Sequence, residues 1–205
     1  YSVSGGTDIV SCFMLGIPTL PVYSGEIQGP GLGMNIDVYN EKGKPTKKTG
    51  ELVCKTPFPS KPIYFWNDKL NRKYKSAYFE KFPNIWAHGD YVKKTNNGGY
   101  VIFGRSDATL NPGGVRIGTG EIYNSLQKFH WIEDCLATGY MTENDEKIVL
   151  FLKLSNTKIN IDFRSVLKKH LKASLSPRHV PWKVFVVKDI PRTKSGKNSE
   201  ILVKK

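Results

Sequence analysis

The stretch Gly104–Glu121, at the midpoint of the chain, limits what this sequence can fold into more than any other part of it. It holds five glycines, two arginines and two carboxylates. Glycine at that density lets backbone approach a ligand or another segment closely. Arginine offers a rigid fork of donors that matches phosphate or carboxylate oxygens. A strand-like run, Gly99–Phe103, enters the stretch and a helix-like run leaves it. Asp107 follows Gly-Arg-Ser and precedes a new apolar run, the pattern of a joint between two bodies.

Around that joint the chain has the means to build cores. Of its 205 residues 39% are hydrophobic and 12% aromatic, which excludes a disordered chain. No apolar run approaches the roughly 18 residues of a membrane span, so none is expected. Cys12, Cys54 and Cys135 are far apart and odd in number, which argues against a disulfide framework or a zinc site and for a reducing, cytoplasmic setting. The net charge of +13 invites a nucleic-acid reading. The lysines, however, are dispersed over 42–48, 69–75 and 168–172 with no recognised nucleic-acid motif, so no such partner is expected. A solvated basic surface, or attraction of polyanionic small molecules, accounts for them.

Residues 1–33 read as short strands broken by Pro18, Pro21, Gly25 and Gly29–Gly33. Met34, Ile36 and Val38 alternate with polar neighbours, and with 51–55 they predict a hairpin closed by a long loop. A helix is expected near 69–79. A second hairpin joins 91–93 to 100–103 through Asn96-Asn97-Gly98-Gly99. Beyond the joint, Ile122, Leu126 and Phe129 give one helix; 135–141 and 147–154 give two strands. A second helix carries Phe163, Val166, Leu167 and Leu171, with Asn160 or Asp162 as its cap. A third strand covers 182–188, and the tail from Asp189 reads as loop.

Three further stretches carry chemistry: Ser4-Gly5-Gly6-Thr7-Asp8, Trp86-Ala87-His88-Gly89-Asp90 and Pro191-Arg192-Thr193-Lys194-Ser195-Gly196-Lys197. Thr7 and Asp8 suit a phosphate oxygen and Mg²⁺, or a turn closed by their own side chains. Asp90 suits a diol that donates two hydroxyls, or a turn. His88 reads as structural. The last stretch is no Walker A loop, because Pro191 stands where that motif begins with glycine.

These four stretches, in this order, resemble the acyl-adenylate-forming superfamily of acyl-CoA synthetases, luciferases and peptide-synthetase adenylation domains. The acetoacetate-activating branch is nearest in pattern. The resemblance implies an α+β chain. Residues 1–106 would be the β-rich end of a large adenylating domain, with hairpins and a barrel-like subdomain. Residues 107–205 would be a small mobile α+β lid hinged at Asp107. It further implies ATP, Mg²⁺, coenzyme A and a small carboxylic acid as the molecules handled. The chain begins at Tyr1 inside a motif and lacks the family's upstream phosphate loop, so it is expected to be a C-terminal portion, inactive in adenylation by itself.

The same resemblance assigns roles residue by residue. Thr7 would contact the α-phosphate and Asp8 the metal, where most members carry glutamate. Asp90 and Arg105 would hold the ribose. Gly5 stands where a tryptophan closes the acyl pocket of acetyl-CoA synthetases, which implies a larger acid such as acetoacetate. Gly114 would line the pantetheine tunnel, and Lys172 would meet CoA phosphates. Arg116 would approach phosphate in one of two states, although Gly113-Gly114-Val115 replaces the Ser-Gly-aromatic or Ser-Gly-His step of many members. Lys197, ahead of Lys194, would bridge the acid and phosphate as the adenylate forms. A cation so placed is worth about 10²–10³ in rate. Two alternatives stand beside this reading: another adenylate-forming ligase, either an acetyl- or longer-chain acyl-CoA synthetase or a peptide-synthetase adenylation domain, and a non-catalytic basic binding module.

Overall fold

A computed structural model describes residues 1–155, 162–194 and 196–204. The chain divides into two compact units, Tyr1–Ile102 and Phe103–Lys205.

In the first unit, β1 (Ser4–Gly6), β2 (Ser11–Leu15) and β3 (Gly29–Pro30) form a small antiparallel sheet. A second sheet runs in the order β4 (Ile36–Tyr39), β5 (Gly50–Cys54), β6 (Trp86–Lys94), β7 (Tyr100–Arg105). The first predicted hairpin is present: β4 pairs antiparallel with β5, Ile36 opposite Cys54. The alternation works as read, Ile36 and Val38 being buried and Asp37 and Tyr39 partly exposed. The second hairpin turns at Thr95–Gly99, where the Thr95 N–H donates to the Gly99 carbonyl at 2.8 Å. Both sheets are open among the described residues, so the barrel-like expectation is met only as neighbouring sheets.

β5 is buried along its whole length, because both its faces are covered. Leu52 and Cys54 join the main core with Phe13, Met14, Phe58 and Trp86. Val53 packs on the other face with Phe82 and Ala87. Each large apolar side chain buried this way contributes about 1.5–3 kcal/mol. The helix α1 (Arg72–Tyr78) lays Tyr74 into the main core, with its ring edge-on to Trp86 at 6.5 Å.

The chain enters the second unit within β7. Here β8 (Ile132–Met141) and β9 (Glu146–Leu154) form an antiparallel hairpin, and β10 (Lys183–Val186) pairs parallel to β9. A parallel neighbour needs a crossover, and α3 (Phe163–Ser174) lies in that connection. Ile148, Leu150 and Leu152 point from β9 toward Ile122 and Leu126 of α2 (Thr119–Leu126) and Leu167 and Leu171 of α3. The Asp162 carboxylate accepts from the Ser165 N–H and caps α3; the other candidate, Asn160, lies outside the described residues. The tail departs from expectation, since its end is a short helix, α4 (Glu200–Lys204), in place of loop. Among the described residues no helix is long and apolar enough to cross a membrane.

Candidate functional site

The first unit brings two of the sequence motifs together. Residues Thr7–Ile9 make a single 3-10 turn between β1 and β2, which leaves Thr7 and Asp8 exposed. The turn closes on Val10, held at φ 47° and ψ 33°, a left-handed conformation that a β-branched residue rarely takes. Asp8 folds back over Gly6, where a Cβ would fall 2.0 Å from its Oδ1 and 3.2 Å from Cε1 of His88. The Tyr78 hydroxyl donates to Asp8 Oδ2 at 2.6 Å, and the Tyr78 ring stacks on Trp86 at 3.7 Å. Tyr78 carried no signal in the sequence beyond an aromatic on a helix; only the fold joins it to Asp8.

Asp90 is not at a turn. It lies inside β6, where the register slips: Tyr91 faces Glu51 and Ala87 faces Val53, so His88, Gly89 and Asp90 bulge opposite Leu52. Gly89 takes φ 86°, which glycine adopts freely and other residues rarely do. The bulge sends His88 and Asp90 to one side. Their side chains approach to 3.7 Å, and Ser4 Oγ donates to Asp90 Oδ2 at 3.2 Å. The His88 ring meets Phe13 edge-on at 4.7 Å, consistent with a structural histidine. Asp90 is therefore held by β1 and β6 jointly, with its side chain 14% exposed.

Gly5 has a steric reason to be glycine. A Cβ there would lie 2.2 Å from the Ser11 carbonyl oxygen in β2. A tryptophan at this position would require β1 and β2 to part, so a pocket role for Gly5 would sit on top of a packing requirement.

In the second unit the joint and the tail loop share a cleft of about 150 Å³, lined by Arg105, Asp107, Thr193, Asn198 and Glu200 among others. The Arg105 guanidinium reaches Asp107 with Nη2 at 3.3 Å from Oδ2, both side chains about half exposed. The described residues of the tail loop are tied to one another and to β8 by hydrogen bonds. The Thr193 N–H donates to the Lys197 carbonyl at 2.8 Å, and the Lys197 N–H donates to Thr193 Oγ1 at 3.1 Å. Arg192 braces the loop by donating to the Gly196 carbonyl at 2.6 Å and to Asp134 of β8. Asn198 donates to the Cys135 carbonyl, and Glu200 accepts from the buried hydroxyl of Tyr123 at 3.0 Å. Burial pushes the Tyr123 phenol far above its ordinary range, and Glu200 beside it adds to the effect. Burial likewise pushes the Cys135 thiol up to about 12, with Asp134 contributing, so Cys135 is no nucleophile at neutral pH. Lys197 and Lys194 are exposed at the rim of this braced loop.

The glycine loop Pro112–Gly114 is held from the hairpin turn between β8 and β9. Asp145 Oδ1 accepts from the Gly113 N–H at 2.8 Å, and Glu146 Oε2 from the Asn111 N–H at 2.6 Å. That first bond, then Lys147, holds the Asp145 carboxyl below the usual carboxylate range. Gly114 faces open space and Arg116 is exposed beside it. Lys172 is exposed in the last turn of α3. Glu121 is structural, its carboxylate accepting from the Gly118 N–H at 3.0 Å and sitting 3.4 Å from His179 Nε2. Among the described residues no three metal-ligating side chains cluster, and Asp8 offers one hard carboxylate oxygen ligand of the kind Mg²⁺ takes.

A β-rich first unit followed by a small α+β unit matches the C-terminal region of adenylate-forming ligases. No family model matches the chain. Its likeness in sequence is to acetoacetyl-CoA synthetases. It is 53% identical over 205 residues to the one from Rhizobium meliloti (strain 1021), covering 99% of this chain and 32% of that protein. Against the one from Gallus gallus it is 48% identical, covering 99% of this chain and 31% of the relative. The solved acetoacetyl-CoA synthetase from Streptomyces lividans superposes with a TM-score of 0.91 at 42% identity, over 98% of this chain and 31% of the other. The chain thus spans about a third of the length of the relatives it matches.

Proposed function

We propose that this chain is the C-terminal part of an AMP-forming acid–thiol ligase that activates acetoacetate. The observation that carries the proposal is its 53% identity, over 99% of its length, to an acetoacetyl-CoA synthetase. In the first step the acid attacks the α-phosphorus of ATP, giving the acyl-adenylate and pyrophosphate. Thr7 donates to an α-phosphate oxygen, and Asp90 with Arg105 accepts and donates to the ribose. Mg²⁺, when bound, offsets phosphate charge, and Asp8 is the residue of this chain that would hold it. The Lys197 ammonium lies against the crowded carboxylate and phosphate oxygens. In the second step a turn at Asp107 withdraws Lys197 and brings Gly114, Arg116 and Lys172 toward CoA, whose thiol attacks the acyl carbon and releases AMP. The hydrogen bonds of the Lys197 backbone to Thr193 support the role of Lys197 by fixing where its side chain leaves the tail loop.

The test uses an enzyme of the relatives' full length that carries this chain. Lys197→Ala should lower acetoacetate-dependent pyrophosphate exchange by about 10²–10³. It should leave thioester formation from supplied acetoacetyl-adenylate within a few-fold of the parent. Equal loss in both steps would remove Lys197 from the adenylation step, and a parent that prefers acetate to acetoacetate would overturn the assigned acid.

A further inference from the structure

We propose that Glu51 is a positioning residue that sets the nucleotide-binding aspartate, Asp90, in place through the backbone of the β6 bulge. The inference rests on the reading of Asp90 as a ribose contact and adds a residue that the resemblance did not assign. Glu51 is 3% exposed, in the middle of a sheet, where a carboxylate is costly unless satisfied. Its two oxygens are both used. Oε1 accepts from the Gly89 N–H at 2.7 Å, and Oε2 takes the Lys81 ammonium. The first bond falls at the point where β6 leaves the register of β5, so the carboxylate substitutes for the ladder partner that the bulge removes.

Gly89 separates His88 from Asp90, and its φ of 86° decides which way both neighbours point. With the N–H of Gly89 fixed, the Asp90 carboxylate arrives beside Ser4 and His88. Without that acceptor, the Gly89 N–H loses the partner that fixes it, and the bulge can relax by rotating the 88–90 backbone. That rotation moves Asp90 while leaving Trp86 and Val92 in register with β5. Glu51 touches no substrate on this reading; its effect passes through Asp90.

The 2′-hydroxyl of ATP isolates that effect. A parent enzyme whose Asp90 accepts this hydroxyl should prefer ATP over 2′-deoxyATP by about ten- to a hundredfold in kcat/KM, the range of one hydrogen bond to a charged acceptor. Asp90→Ala should abolish the preference. Glu51→Leu should abolish most of it, whereas Glu51→Gln, whose amide oxygen still accepts from Gly89, should keep it. General destabilisation lowers the rates with both nucleotides and leaves their ratio alone. If Glu51→Leu does not fold, Glu51→Asp, whose acceptor is drawn back by one methylene, is measured in its place with the same expectation. A discriminating parent whose Leu or Asp variant discriminates equally overturns this proposal and leaves the ribose reading standing. Loss in the Gln variant as complete as in the Leu variant overturns it as well, by assigning the effect to charge. A parent indifferent to the 2′-hydroxyl overturns the ribose reading and this proposal with it.

Discussion

At the scale of single residues, the most costly conformation beside the candidate site is that of Val10. A β-branched residue at φ 47° and ψ 33° carries about 1–3 kcal/mol of backbone strain, and its side chain, 86% exposed, returns almost no burial. Val10→Gly should therefore stabilise the first unit by about 1 kcal/mol, part of the relief being offset by the freer unfolded chain. The measurement is the denaturant midpoint, which should rise at unchanged slope; a lower midpoint would mean that the valine side chain contributes more than the strain costs. The candidate residues were legible as candidates where a motif carried them. Thr7, Asp8 and Asp90 stand out in the sequence, and the fold brings Asp8 and Asp90 to the same side of the first unit through Gly6, His88 and Ser4. Their supports were not legible. Tyr78 and Asp8 are separated by 70 positions, and Glu51 and Gly89 by 38, and such pairings leave no local pattern to read. Glu51 in particular reads as a polar residue opening a strand, because alternation cannot tell a solvated face from a second buried one.

At the scale of elements, the sequence was clearest where periodicity ran long. The hairpin of β4 and β5 and the α2 and α3 helices follow from apolar spacing and one capping carboxylate. The helix α4 escaped, because five residues give too few turns for a 3.6-residue period to show. It is held by tertiary contacts instead, Lys204 reaching Glu146 at 2.9 Å and Glu200 reaching Tyr123. The β8–β9 turn has a function invisible in its own sequence, since it presents Asp145 and Glu146 to the glycine loop. This makes the loop sensitive to acid. The Asp145 carboxyl titrates below the ordinary carboxylate range because the Gly113 N–H and Lys147 favour its charged form. Its contribution is present at pH values above that ordinary range, about 3.9, and is lost as pH falls through the lowered value. Hydrogen exchange at the Gly113 amide, corrected for its intrinsic pH dependence, should lose protection over that acid window and hold it above. Asp145→Asn should remove the pH dependence. Protection in that variant still falling with acid would place the titrating group elsewhere.

At the scale of the whole molecule, the candidate groups are divided between two bodies. Thr7, Asp8 and Asp90 belong to the first compact unit; Arg105, Asp107, Arg116 and Lys197 belong to the second. The division falls between Ile102 and Phe103, inside β7, somewhat ahead of the expected boundary at Asp107. If adenylation and thioester formation need different second-unit residues, then the chain between these bodies has to change its backbone angles between steps. Asp107 is a suitable place, being about half exposed and held by an ion pair of the kind worth about 0–1 kcal/mol. Two substitutions separate its backbone from its charge. Asp107→Asn removes the carboxylate and leaves the dihedrals free, so both half-reactions of the full-length enzyme should stay within a few-fold of the parent. Asp107→Pro fixes φ near −65° and removes one N–H. It should slow one half-reaction by about tenfold or more relative to the other, because a pivot held at one setting favours one arrangement. Pyrophosphate exchange reads the first half, and thioester formation from supplied acetoacetyl-adenylate reads the second. A proline variant that slows both equally, or neither, would move the pivot away from Asp107, and the positive-φ glycines Gly104, Gly113 and Gly114 would become the positions to test next.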